Sequence, residues 1–185
     1  MKQSKATNSL ISWARRDAPH LPAPVVIENE KLLFHKSSVS VYATTVLNKN
    51  EIELSVEIND RALKYSEDAV QEWLGDPLHA YMFNEKTVDH AAREVVGVIQ
   101  RVFQRFEDSL EASLKGLEAA SARLSEESER GWIREQVDEA WRLHRYKEVV
   151  ELFSRLGRGL SKAEEKRFEI ARRRLSDAEG RLSEV

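Results

Sequence analysis

Metal chemistry is the first possibility the side chains raise. The chain has five histidines, His20, His35, His79, His90 and His144. His90 and Glu94 lie four residues apart, the spacing that places two ligands on one helical face. His79 and Asp76 lie upstream and could complete a site. No H-E-x-x-H pattern occurs, so the third ligand has to be guessed. His79, His90 and Glu94 are therefore weak candidates for a metal-dependent hydrolase, the last of three functional readings.

Glu51, Glu53 and Glu57 form a second cluster, of the kind metal-dependent nucleases use. Those sites also need a lysine, typically two residues after an acid on the same strand. Here Glu57 is followed by Ile58 and Asn59, so the pattern fails. A solvated strand face is the better reading, with docking of a basic partner as its functional use. Covalent catalysis has no visible candidate, since there is no cysteine and no G-x-S-x-G elbow. Neither G-x-x-x-x-G-K nor G-x-G-x-x-G occurs, so no phosphate-cradling loop and no cofactor are expected.

Charge points elsewhere. The formal net charge of −3 gives no global reason to bind nucleic acid or an anionic membrane. Locally, however, residues 107–129 hold seven acids against two bases, and residues 155–181 hold nine bases against five acids. Two helical segments of opposite sign are explained by packing against each other. The functional alternative is that Arg172, Arg173 and Arg174 contact phosphates or an acidic protein, a reading weakened by the interleaved Glu164, Glu165 and Glu169.

Hydrophobic periodicity sets out the elements that must position these groups. Residues 5–17 suit a short amphipathic helix with Leu10, Trp13 and Ala14 on one face, and Pro19, Pro22 and Pro24 force an extended connection after it. From about 25 to 58 the period becomes two. In Glu51–Ile58, Ile52, Leu54, Val56 and Ile58 point one way, while Glu51, Glu53, Ser55 and Glu57 point the other. Val25–Glu28, Leu32–His35 and Val39–Leu47 complete a meander of three or four antiparallel strands, with Asn48-Lys49-Asn50 as a turn. Such a sheet needs helices across its apolar face. A helix is predicted over 67–74, capped by Ser66 and ended by Gly75-Asp76-Pro77, and Leu78–Asn84 is either a further strand or a buried loop.

The longest signal begins at Thr87. Apolar or small residues recur from Val88 to Leu124 in steps of three and four, with one stutter near Phe106–Leu114. This predicts one helix over 87–125, its first part packed on the sheet and its second part pairing with other helices. Ser125–Gly131 is the expected reversal point. Helical spacing resumes over 132–144 and 146–156, and Ser161 with Glu164 makes a capping box for a last helix.

The fold class is thus α+β, an antiparallel meander packed on helices followed by a helical bundle or hairpin. Its expected parts are residues 1–106 and a helical extension, 107–185. The first twenty residues lack the apolar run of a secretory signal, so a cytoplasmic protein without membrane insertion is expected. The leading functional expectation is a non-enzymatic protein-interaction module, such as a bacterial immunity protein, chaperone or adaptor. A nucleic-acid accessory factor using the arginine-rich helix is the alternative. Leu110, Leu114, Leu117 and Leu124 offer a seam for internal packing or for a homodimer.

Overall fold

The structure is a computed structural model and describes residues 4–182 apart from Pro19, Asn29 and Arg158. It is α+β. Helix α1 (Lys5–Asp17) leads into strands β1 (Val25–Glu28), β2 (Lys31–Lys36), β3 (Val39–Val46), β4 (Glu51–Ile58) and β5 (Leu63–Ser66). Then come α2 (Glu67–Leu74), the short β6 (Tyr81–Met82), α3 (Val88–Asp108), α4 (Leu110–Arg142), α5 (Tyr146–Leu156) and α6 (Lys162–Leu182). The chain divides into two compact units that meet between Leu124 and Ser125, inside α4. No helix among the described residues is long and apolar enough to cross a membrane.

In the first unit the sheet runs β1-β2-β3-β4-β5, all antiparallel, and β6 also pairs with β4. The predicted alternation in β4 is what is found: Ile52, Leu54, Val56 and Ile58 are buried, and the residues between them face the other side. Among the described residues six strands form the sheet, where a meander of three or four was expected with a further strand possible in Leu78–Asn84. The extra ones are β5, too short and too poor in β-branched residues to signal itself, and β6, which lies in the ambiguous Leu78–Asn84 stretch. Asn50 takes a left-handed conformation at φ 53° in the β3–β4 turn, a role asparagine fills more readily than most residues.

Helix α3 packs on β3, β4 and β6, and α1 packs on α3. Leu10, Ala14, Leu32, Phe34, Val41, Val56, Ile99 and Phe103 belong to one continuous core. Ser4 caps α1 by accepting from the Thr7 amide at 3.1 Å, and Ser66 caps α2 by accepting from the Ala69 amide at 3.4 Å. Gly75 ends α2 at φ 77°, a left-handed position that glycine occupies without a Cβ penalty.

Two expectations about the long helix are corrected. The helix predicted over 87–125 is broken at Ser109, whose backbone is extended at φ −165°, ψ 111°. Ser109 is last for one helix and first for the next. Its amide donates to the Arg105 carbonyl at 3.1 Å, while its hydroxyl accepts from the Ala112 amide at 3.2 Å. The Ser113 hydroxyl adds a 2.8 Å bond to the same Arg105 carbonyl. The stutter near Phe106–Leu114 marks this break. Conversely, Ser125–Gly131 is not a reversal, because α4 runs through it. A single glycine costs a helix about 1 kcal/mol, and Glu126 with Arg130, at 3.5 Å, adds an i,i+4 pair on the same stretch. The chain turns instead at 143–145, where His144 adopts φ 57°.

In the second unit, Ile133, Val137 and Ala140 of α4 share a core with Val149, Leu152, Phe153 and Leu156 of α5 and Ala171 of α6. The predicted capping box is present. The Ser161 amide donates to Glu164 Oε2 at 2.6 Å, and the Glu164 amide donates to Ser161 Oγ at 3.2 Å. These bonds and the Arg134 guanidinium hold the Glu164 carboxyl down to about 2.

Candidate interaction surface

Helix α3 packs on one face of the sheet, and the pleat sends alternate residues of every strand to the other face. Strand register arranges those residues in rows: His35, Ser40, Glu57 and Lys64; Leu33, Tyr42, Ser55 and Ser66; Lys31, Thr44 and Glu53; Val46, Glu51 and Met82. Glu51, Glu53 and Glu57 therefore share one face, as their spacing required. Lys64 lies 3.2 Å from Glu57, Lys49 lies 3.1 Å from Glu53, and the Lys31 ammonium sits 4.6 Å from the centre of the Tyr42 ring. The result is an apolar row, Leu33 and Tyr42, between charged rows, with Val46 and Met82 at one end.

A groove of about 420 Å³ opens on this face, bordered by Lys31, Glu51, Glu53, Lys64, Glu67 and Asp68. Its least ordinary member is Glu67. Strand β4 pairs with β5 from Ser55 to Ile58 and with β6 at Glu51 and Ile52, which leaves a gap between them. There Glu67 Oε2 accepts from the Leu54 amide at 2.7 Å, as a neighbouring strand's carbonyl would. Its other oxygen accepts from Gln71 Nε2 at 3.2 Å. Gln71 is completely buried and also clasps the His79 backbone, donating to its carbonyl at 2.7 Å and accepting from its amide at 2.9 Å. Burial, with Glu51, Asp68 and Glu53 adding to it, raises the Glu67 carboxyl to about 7 against the lowering effect of the Leu54 amide. Both Glu67 oxygens are engaged inside the fold, which suits a structural carboxyl. The groove around it, with four carboxyl groups and two ammonium groups, favours cationic over anionic contacts.

The histidine candidates are placed differently. His90 Nε2 lies 3.6 Å from Glu94 Oε1 on the exposed side of α3, as the four-residue spacing implies. His79 directs Nδ1 to the Pro77 carbonyl at 2.8 Å and meets the Tyr81 ring edge-on at 4.9 Å. Asp76 is held by both terminal nitrogens of Arg101, each at 2.7 Å. Asp76, His79 and Glu94 border a groove of about 260 Å³ that His90 does not border. Among the described residues, no group of three or more His, Asp and Glu side chains is arranged to hold a metal ion.

Of the three consecutive arginines on α6, Arg174 stacks 4.9 Å from the centre of the Tyr146 ring and donates to its hydroxyl. Arg172 lies 5.8 Å from the Phe168 ring and Arg173 is exposed. The same pattern recurs nearby. Arg167 pairs with Asp138 at 2.7 Å and lies over Trp141, and Arg155 pairs with Glu129 at 3.3 Å and lies over Trp132. Much of the basic charge of residues 155–181 is thus used inside the second unit. Three of the four seam leucines are likewise occupied. Leu114 and Leu117 are 3% and 0% exposed in the core of the first unit, Leu124 packs against that core, and Leu110 is 41% exposed.

Sequence reasoning passed over Glu67 and Gln71. The available signal was a lone amide, Gln71, beside Val70 and three residues before Leu74 on the buried side of α2. Compared with known proteins, the chain matches no protein-family model, no curated protein and no solved structure.

Proposed function

We propose that the protein is a non-enzymatic protein-interaction module, of the kind represented by immunity proteins, chaperones and adaptors, and that it engages its partner through the face of the sheet opposite α3. The observation that carries this reading is the register of that face. Leu33 and Tyr42 form an apolar row between the rows that contain Glu57 and Glu53, and Val46 and Met82 flank Glu51 in the row beyond Glu53. Protein interfaces combine apolar and aromatic anchors with a charged rim in this way. The excess of carboxylates favours a partner whose contacting segment is basic at its edges. The arginine-rich helix supports a nucleic-acid role less well, because Arg174 is committed to Tyr146 and Arg172 lies against Phe168.

The test is affinity capture from the native host with nuclease and salt varied. Wild type is compared with Leu33→Glu/Tyr42→Glu and with Arg173→Glu. A single protein retained through nuclease and high salt, lost with the double variant and kept with Arg173→Glu, is the expected result. Capture indifferent to the double variant, or recovery of nucleic acid alone at low salt, overturns the reading.

A further inference from the structure

The joint between α3 and α4 is one residue long, and nothing in its sequence requires it to bend. Residues 106–113, Phe-Glu-Asp-Ser-Leu-Glu-Ala-Ser, contain neither proline nor glycine. The break is held by two serine hydroxyls. Ser109 Oγ accepts from the Ala112 amide, and Ser113 Oγ donates to the Arg105 carbonyl. Arg105 in turn donates to the carbonyls of Trp73 at 3.1 Å and Leu74 at 3.4 Å. Beyond the joint, the start of α4 fits closely against α2. A Cβ on Gly116 would lie 2.5 Å from Trp73 Nε1, and Arg123 lies 3.0 Å from Glu72. Leu114 and Leu117 are buried in the same core.

A straight joint would give the amides of residues 110–112 the carbonyls of residues 106–108 as helical partners. It would also uncover Leu114 and Leu117 together with the Trp73 surface they leave. The surface shaped to receive that stripe, whose Gly116 leaves room for Trp73, is the same groove on another copy of this chain. A reciprocal exchange restores every α2–α4 contact, so the balance between monomer and exchanged dimer rests on the joint and on concentration. We infer that Ser109 is an exchange joint, at which α3 and α4 can merge into one helix and two copies trade the Leu114–Leu117 stripe. This inference is independent of the proposed sheet-face interaction.

The chain has no cysteine, so introduced thiols report cleanly. Glu72→Cys/Arg123→Cys, placed where α2 and α4 form an ion pair, is treated with a short bis-maleimide over a wide concentration series. The link forms within one chain in the closed monomer and between chains in the exchanged dimer. In this background, Ser109→Ala/Ser113→Ala removes both hydroxyl contacts and favours the straight helix. It is expected to bring on the between-chain link at a concentration roughly tenfold or more below that needed by the native joint. Leu110→Pro has the opposite effect. Proline is well placed at the first residue of a helix and disfavours the helical conformation in the residue before it, so this variant is expected to remain monomeric throughout. A folded Ser109→Ala/Ser113→Ala protein that links only within one chain overturns the inference. So does a between-chain link that Leu110→Pro leaves unchanged. Should the double serine variant not fold, the native joint against Leu110→Pro decides. Loss of a between-chain link in Leu110→Pro supports exchange, and no such link with the native joint at the highest soluble concentration overturns it.

Discussion

Three helical glycines make a controlled experiment on packing. Gly97 in α3 and Gly131 in α4 have nothing within 4 Å of where a Cβ would stand, whereas at Gly116 in α4 that Cβ would lie 2.5 Å from Trp73 Nε1 and 2.6 Å from Trp73 Cδ1. Replacing an interior helical glycine by alanine is intrinsically favourable by about 1 kcal/mol. Gly97→Ala and Gly131→Ala should therefore each stabilise the protein by about that amount. At Gly116 the same gain is opposed. Carbon contacts are optimal at ~3.5–4 Å, so the indole must retreat by about 1 Å, and overpacking of this kind costs about 1–3 kcal/mol. Trp73 is not free to retreat, being flanked by Phe106 at 5.6 Å and by the Arg105 guanidinium at 5.2 Å. Gly116→Ala should thus range from neutral to about 2 kcal/mol destabilising, and lie ~1–3 kcal/mol below Gly97→Ala in the same unit. Urea unfolding followed by far-UV circular dichroism and tryptophan emission gives all three values. Adding Trp73→Phe should recover part of the Gly116→Ala loss. If Gly116→Ala stabilises as much as Gly97→Ala, the indole does not pack against that glycine and the account of α2 against α4 fails.

Other expectations concern single groups. Because the Glu67 carboxyl is raised to about 7, its neutral form belongs to the folded state; its contribution is complete below the ordinary 4.5 and is lost as pH rises through 7. Solvent screening reduces the loss to on the order of 1–2 kcal/mol, so Glu67→Gln should flatten the fall in stability between pH 5 and pH 8, whatever its offset; an unchanged slope contradicts the assignment. Ala62 holds a left-handed conformation at φ 51° after Asn59–Arg61, so Ala62→Gly should raise stability by roughly 0.5–1 kcal/mol, and a loss in thermal unfolding counts against it. The Tyr65 hydroxyl is buried without a hydrogen-bond partner among the described residues, so Tyr65→Phe should be neutral or up to about 1 kcal/mol stabilising; a cost above about 1 kcal/mol in urea unfolding means that the hydroxyl is satisfied.

What was legible in the sequence was whatever local chemistry specifies. The strict alternation of Glu51–Ile58 gave the buried and open faces of β4, and Ser66 with Gly75, and Ser161 with Glu164, gave helix ends that depend only on near neighbours. The break at Ser109 left a trace in the stutter, but a stutter also fits a continuous, locally unwound helix, and Asp108 and Ser109 are tolerated in helices. Ser125–Gly131 misled because polar residues with one glycine resemble a turn, while packing of Ile133, Val137 and Ala140 keeps the helix going. Glu67 was illegible for another reason. Its role depends on a gap between β5 and β6 that exists only once distant strands have paired.

That gap has a consequence for how the protein avoids its own kind. An uncapped stretch of strand is a template on which another molecule's backbone can nucleate aggregation. At β4 the open position is stoppered by a side chain: a carboxyl accepts the Leu54 amide and presents no peptide unit beyond itself, so the ladder cannot be extended there. At the far edge, β1 is only four residues long, follows Pro24 and loses its register between Val26 and Glu28. Two unrelated devices thus limit pairing at the open stretch of β4 and at the β1 edge, and Glu67 is the one that a single substitution could remove.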